Sequence, residues 1–356
     1  MLEKYESLNA EAKSYLLQEL NKIFSQKNED DALFSRCCKE IDLLYDRGLL
    51  FIIKILHMYK KENGTSYHFR GMVNNLVLLY VLEISNVDSI KYKLSYELFN
   101  DSSICVDLVN DHPFSLVWYI ERELHDELKI IYGSHTEEDI KNINAFLDNH
   151  YLLLPFVYNG NDGVNITFRL NEYFLFETIA DYRKYSDQFL TIRIDEKQPI
   201  SEYKVKGLEN VLTNDFEKEI ADILQPKTIK DYVKVKSIGH GTDVWNYNQD
   251  VLVAEGKITL DNLIATREDI LEYLLDHSID KDVALEILNF IRKGRPKKDP
   301  EKWDEYVGIM KEHNCEDMFI NIFSKILFIF GRGQAVSECL FALDEENYIN
   351  ERSDLK

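Results

Sequence analysis

The chain has 356 residues, with 42 Lys and Arg against 63 Asp and Glu, for a formal net charge of −21. That length allows two domains and a sizeable core. The acidity excludes a surface built as a whole to embrace phosphates, so a DNA contact needs a local basic patch and a protein partner is favoured. Apolar residues at 45% and charged residues at 29% are ordinary for a soluble globular protein. No apolar run reaches the roughly 18 residues of a membrane span, and the best run, from Gly48, is broken at Lys54. Cys37, Cys38, Cys105, Cys315 and Cys339 are scattered without zinc-site spacing. With an acidic N-terminus that lacks a signal-peptide core, they lead to the expectation of a reduced, cytoplasmic protein without membrane contact.

In chain order, Leu2, Tyr5, Leu8, Tyr15, Leu16, Leu20 and Phe24 recur at near-helical spacing and predict an amphipathic helix over 1–27. A polar break from Ser25 to Asp31 precedes a second helical stretch to about Lys61, and a third helix is predicted from Gly71 to Ile84. Residues 104–108, Ile-Cys-Val-Asp-Leu, read as a strand. Thr136 and Asp139 form a capping-box pattern opening a helix to about Asn149. Strands are predicted at Leu152–Tyr158, Asn165–Leu170 and Phe189–Ile194. From about Leu208 the pattern is helical. Thr266 caps one helix (267–277), Gly294 and Pro296 stop another, and helices at 299–313 and 317–330 follow. The predicted class is α+β, a mixed half followed by an all-helical half.

Within the helical half, residues 239–245 read Gly-His-Gly-Thr-Asp-Val-Trp and are followed by Asn248 and Gln249. This run resembles the fingers signature of PolC-type (C-family) bacterial DNA polymerase III alpha subunits. The resemblance continues through Thr266–Ile270, Tyr273, Leu274 and Ile291–Gly294. Upstream, Gly48 and His57, Arg70 and Gly71, Glu83, Ile84 and Val87, then Ala180–Tyr182, Asp187 and Gln188 keep the family's register more faintly. The resemblance covers about residues 36–343, with 110–180 poorly matched. It implies a helical extension at 1–35, a polymerase-β-like nucleotidyltransferase palm remnant at 36–207, helical fingers at 208–343 and an acidic tail at 344–356.

The family's palm resembles that of polymerase β, in which three carboxylates hold two Mg²⁺ ions that activate the primer hydroxyl and neutralise the triphosphate. Two of those carboxylates flank one residue of a strand and so share a face. Here Asp107 keeps one position and Cys105 takes the other, a soft thiol where Mg²⁺ requires hard oxygen. The register places Arg193 at the third position, with Asp195 two residues on as the alternative. Asn74 and Asn75 stand where the family's Gly-Ser pair lets a helix N-terminus approach phosphate. Arg332 stands for the fingers lysine that faces the nucleotide, and Gln334 for the histidine. Loss of two metal ligands costs on the order of 10³-fold in rate or far more, so the resemblance implies a chain kept for shape rather than turnover. No cofactor is expected, with Mg²⁺ relevant only should nucleotidyl transfer survive at Asp107.

The strongest DNA-contact candidates are the cations at 292–298, Arg-Lys-Gly-Arg-Pro-Lys-Lys, hence Arg292, Lys293 and Arg295; a solvated loop at a helix C-terminus gives the same pattern. Arg70, Arg267 and His240 lie in matched segments and join them, His240 also suiting a structural hydrogen bond. Lys227, Lys230, Lys234 and Lys236 read as an exposed face, and the 40 Tyr and Phe as core packing rather than as a platform for bases. The expected role is a catalytically silent polymerase-fold protein that binds DNA or a replication protein. The alternatives are an active divergent nucleotidyltransferase and an acidic protein-interaction scaffold.

Overall fold

The computed structural model describes residues 3–27, 31–64, 66–99, 104–109, 113–124, 129–132, 151–154, 156–158, 164–170, 211–212, 214–340 and 342. The chain divides into two compact units, Met1–Tyr203 and Lys204–Lys356. The first is mixed and the second helical, so the class is α+β. The predicted helix opening at Thr136 and the predicted strand at Phe189–Ile194 lie outside the described residues. No described helix is long and apolar enough to cross a membrane.

The first unit opens with α1 (Glu3–Lys27), α2 (Asp31–Asp46) and α3 (Leu50–Asn63). The single helical stretch predicted to Lys61 is therefore two helices. Gly48, at φ 71, turns the chain between them, and Leu49 N–H returns to Leu44 O at 3.0 Å. α3 has no cap of its own; Asn9 on α1 accepts from Leu50 N and Phe51 N at 2.8 and 3.2 Å. Ala12, Leu16 and Leu20 of α1 are fully buried against Leu49–Ile53 and Leu56, so α1 is part of this unit's core.

The helix predicted over 71–84 forms only in fragments, a 3₁₀ turn at Met72–Asn75 and the five-residue α4 (Val77–Val81). Asn74 Nδ2 donates to Phe69 O at 2.7 Å and Asn75 Nδ2 to Ser95 O at 2.8 Å. Short amide side chains that bond nearby backbone compete with helix, and Glu83 at φ 58 ends the segment.

The sheet comprises β1 (Ser66–Arg70), β2 (Ile104–Val109), β3 (Lys129–Tyr132), β4 (Tyr151–Leu154), β5 (Phe156–Tyr158) and β6 (Val164–Leu170). The order is β1-β2-β6-β4-β3, with β5 also on β6, and only β3–β4 is parallel. β4 and β5 meet β6 in the same antiparallel register, and both fall in the region predicted as a strand over 152–158. Between β2 and β3 runs α5 (Pro113–Leu124). Alternation along β1 and β2 sends Tyr67, Phe69, Ile104 and Val106 into the core and leaves His68, Arg70, Cys105 and Asp107 at the positions of the opposite face.

The second unit contains α6 (Asp215–Leu224), α7 (Ile229–Gly239), α8 (Asp250–Ala254), α9 (Arg267–Asp276), α10 (Lys281–Ile291), α11 (Pro300–Glu312), α12 (Asp317–Lys325) and α13 (332–340). Asn214, Thr228, Thr266, Asp280 and Asp299 cap helix N-termini through their side chains. Thr266 forms a full capping box with Asp269.

The helix predicted over 317–330 stops at Lys325. Residues 326–330 instead donate and accept sheet-like bonds: Leu327 N to Thr242 O at 3.0 Å, Thr242 N to Phe328 O at 2.9 Å and Arg267 N to Phe330 O at 2.9 Å. Two loops would lose partners if α12 continued, so tertiary bonding overrides the local pattern. Gly294 ends α10 at φ 62, where a Cβ would lie 3.0 Å from Leu327 O, so the basic loop at 292–298 runs against this same segment.

Candidate nucleic-acid interface

The palm expectation rests on β2. In register, Asp107 lies opposite His68 on β1 and Asn165 on β6, and Cys105 opposite Arg70 and Thr167. By residue type, these register positions hold one carboxylate residue, Asp107, among His68, Asn165, Arg70, Cys105 and Thr167. That set does not fit a paired Mg²⁺ site, which calls for several hard oxygens. Among the described residues no group of three His, Cys, Asp or Glu could hold a metal ion. Arg193 and Asp195 lie outside the described residues.

The expected phosphate cradle is closed from within. Asn74 and Asn75 are 1% and 0% exposed, and their amides make the buried backbone bonds described above. Glu40 on α2 is fully buried, and its Oε2 accepts from Leu78 N in the first turn of α4 at 2.8 Å. The chain's own carboxylate thus stands where an anion would meet that helix end. Burial pushes the Glu40 carboxyl upward, opposed by the Leu78 N–H and by Arg36. Arg36 Nε meets Glu40 Oε1 at 2.9 Å, and its Nη2 donates to Asn75 O, Ser89 Oγ and Leu94 O at 3.0–3.1 Å. The sequence gives no local sign of this hub, because its members are up to 58 residues apart.

The signature loop is held from many sides. Gly239 ends α7 directly over the buried Glu217, and a Cβ there would collide with Glu217 Cγ. Glu217 lies 3.4 Å from both Lys236 Nζ and His240 Nε2, and Glu338 lies 3.6 Å from the same two atoms. Burial pushes Glu338 upward, yet His240 and Lys236 hold it below the usual carboxylate range. His240 also stacks on Phe330, with centroids 4.8 Å apart. Its position is that of a loop-building residue with one half-exposed edge.

Beyond Thr242 the loop narrows into a π-type turn at Trp245–Gln249. Asn248 Nδ2 donates to Asp243 O at 2.9 Å, and Gln249 Nε2 donates to Val244 O and Ile264 O at 3.0 and 2.8 Å. Trp245 is buried. Tyr247, by contrast, projects from the turn at φ 57 and is 87% exposed. Among the described residues Tyr247 departs furthest from the expectation of core packing, with Tyr80 and Phe328 also exposed, to 43% and 39%.

The predicted cations sort into two groups. Arg332 is mostly buried: it makes a two-pronged pair with Glu272 at 2.7 and 2.9 Å and meets Asp269 at 2.8 Å. Burial opposes its charge, but these carboxylates raise its pKa further. The residue expected to face a nucleotide is thus engaged by carboxylates of its own unit. Lys234 and Lys236, expected on an exposed face, are buried as well. Lys234 Nζ donates to Leu260 O, Asp261 O and Leu263 O at 2.6–3.1 Å, and Lys236 Nζ donates to Val211 O at 3.0 Å. Their carbonyl partners come from loops that sequence periodicity cannot place.

The other cations gather beside the signature loop. Lys293, Arg295 and Lys298 are exposed. Lys297 meets Asp243 at 3.0 Å and Lys325 Nζ donates to Tyr247 O at 3.1 Å. Arg267 bonds Ile329 O at 3.0 Å and lies over the ring of Phe328, which is 39% exposed. Arg292 bonds Asn289 Oδ1 at 2.7 Å. Arg70 is exposed at the end of β1, in the other unit.

The class defined so far is an α+β chain of two units, the second organised around a signature loop with a basic, partly aromatic margin. Stretches of this chain are similar to PolC-type DNA polymerase III: 32% identical over 128 residues to that of Oceanobacillus iheyensis, and 34% over 119 residues to that of Clostridium perfringens. The protein of Halalkalibacterium halodurans is 28% identical over 150 residues. These matches cover 36%, 33% and 42% of this chain but only 9%, 8% and 10% of the relatives. The similarity covers about a third of this chain, and the chain spans only about a tenth of the length of those polymerases. No protein-family model matches it.

Proposed function

We propose that this chain is a catalytically silent relative of PolC, a polymerase-β-like palm remnant followed by helical fingers, that acts in DNA replication by binding DNA or a replication protein. The observation that carries the reading is the contrast between its two candidate sites. The signature loop is held by a dense set of hydrogen bonds, while the β2 face offers one carboxylate position, at Asp107, in the company of Cys105 and Arg70. The plug of Glu40 at α4 supports the same conclusion. The cations beside the signature loop favour DNA as the ligand of the second unit, and the net charge of −21 favours a protein partner elsewhere on the surface.

Primer extension with Mg²⁺ and with Mn²⁺ tests the silence, comparing the wild-type chain with Asp107→Ala. No extension is expected from either. Extension that Asp107→Ala abolishes would establish an active, divergent nucleotidyltransferase instead. A mobility-shift titration with primer-template DNA then tests the ligand. Absence of a complex even at low salt leaves a protein partner alone.

A further inference from the structure

We infer that the margin of the signature loop is a binding site for single-stranded nucleic acid, with a base stacked on Tyr247. This rests on the DNA-binding reading above and assigns the ligand's form and the residues that take it. Tyr247 is the most exposed large apolar side chain among the described residues, at 87%. It also sits at φ 57, ψ 19, a left-handed conformation that a bulky side chain adopts at a cost. Burial cannot be what repays this strain, because the ring is almost wholly in water. A ring held out on a strained turn, with the turn itself tied down by Asn248 and Gln249, is a preformed stacking surface.

The surroundings supply the charge that a strand requires. The ammonium of Lys325 lies 3.1 Å from the backbone carbonyl of Tyr247, on the turn that carries the ring. The segment after Lys325 carries the half-exposed Phe328 under Arg267, and it is bonded through Thr242 to the signature loop. The basic loop meets this segment at Gly294 and Leu327, bringing Lys293, Arg295 and Lys298 to the same margin. Asp243, the acid of the loop, is paired with Lys297. Aromatic rings interleaved with cations suit a flexible strand whose bases can turn outward. In a duplex the faces of the bases are stacked on one another and closed to Tyr247. An acidic peptide would use the cations but has no need of the ring.

The test is fluorescence anisotropy with a labelled oligo(dT) strand and the same strand annealed to its complement, using the full chain. The single strand is expected to bind more tightly than the duplex. Tyr247→Gly suits the left-handed turn, so its melting temperature should match or exceed wild type while affinity for the strand falls about 10- to 100-fold. Tyr247→Trp should retain affinity. Lys325→Ala should flatten the slope of log affinity against log salt by about 0.7, the share of one phosphate contact. Equal strand binding by wild type and Tyr247→Gly would overturn the inference and leave DNA binding in place. Tighter binding of the duplex would overturn it in the same way. Absence of binding to either DNA overturns the inference together with the DNA arm of the proposed function, and leaves a protein as the partner.

Discussion

Gly239 shows how a single hydrogen atom can define a site. Ala is the better helix former by up to about 1 kcal/mol, so at the end of α7 a glycine is locally unfavourable. It is needed because the fully buried Glu217 occupies the space a Cβ would take, and that carboxylate serves Lys236 and His240. Gly239→Ala is expected to destabilise the second unit by about 1–3 kcal/mol through overpacking. In a Glu217→Ala background the same change should be neutral or favourable, although Glu217→Ala itself weakens the unit by leaving Lys236 with less negative charge around it. Chemical denaturation of the four proteins of this cycle measures the coupling. Additive costs would show that the two residues do not meet. The glycine was legible in the sequence as part of a run, but its reason was not, since Glu217 lies 22 residues upstream on another helix. For the same reason Lys234 and Lys236 were misplaced: nothing local distinguishes a buried lysine with carbonyl partners from a solvated one.

Among the elements, those legible in sequence were the ones that carry their own start and stop signals. The cap at Thr266 and the stop at Gly294 each marked a boundary that the structure keeps, and the helix predicted over 299–313 begins at the Asp299 cap. Elements whose ends depend on distant partners were misread. The helix predicted over 71–84 breaks because Asn74 and Asn75 bond backward and across, and α12 ends early because residues 326–330 serve two loops. α1 and α3 illustrate a pairing of elements that has a measurable pH signature. His57 on α3 meets Tyr15 Oη of α1 at 3.0 Å, and burial, followed by Lys61, lowers its pKa from 6.5 to about 4. A base whose folded pKa is depressed contributes fully above its unfolded value and loses that contribution as pH falls below it. Between pH 6.5 and 4 the unfolded chain takes up a proton that the folded chain refuses, a loss on the order of 3 kcal/mol. Unfolding free energies at pH 7 and at about pH 4.5 should therefore diverge less in His57→Gln than in the wild type. Identical slopes would mean that His57 is not held neutral by the fold.

For the whole molecule the two electrostatic facts pull in opposite directions, and salt separates them. A net charge of −21 makes the folded chain repel itself, because folding brings like charges closer together than the unfolded chain does. Added salt shortens the Debye length from about 30 Å at 0.01 M to about 8 Å at 0.15 M, so the melting temperature is expected to rise by a few degrees over that range. The cations near Tyr247 act locally. A bound strand displaces its own counterions there, and affinity must fall as salt rises. One titration series thus has two readouts of opposite sign, thermal stability increasing and strand affinity decreasing. A protein whose DNA binding came from its overall field could not behave this way, since an acidic field repels the strand and screening would strengthen the complex. Should affinity and stability rise together with salt, the patch would not be the source of binding, and the ligand of the signature loop would have to be sought among proteins.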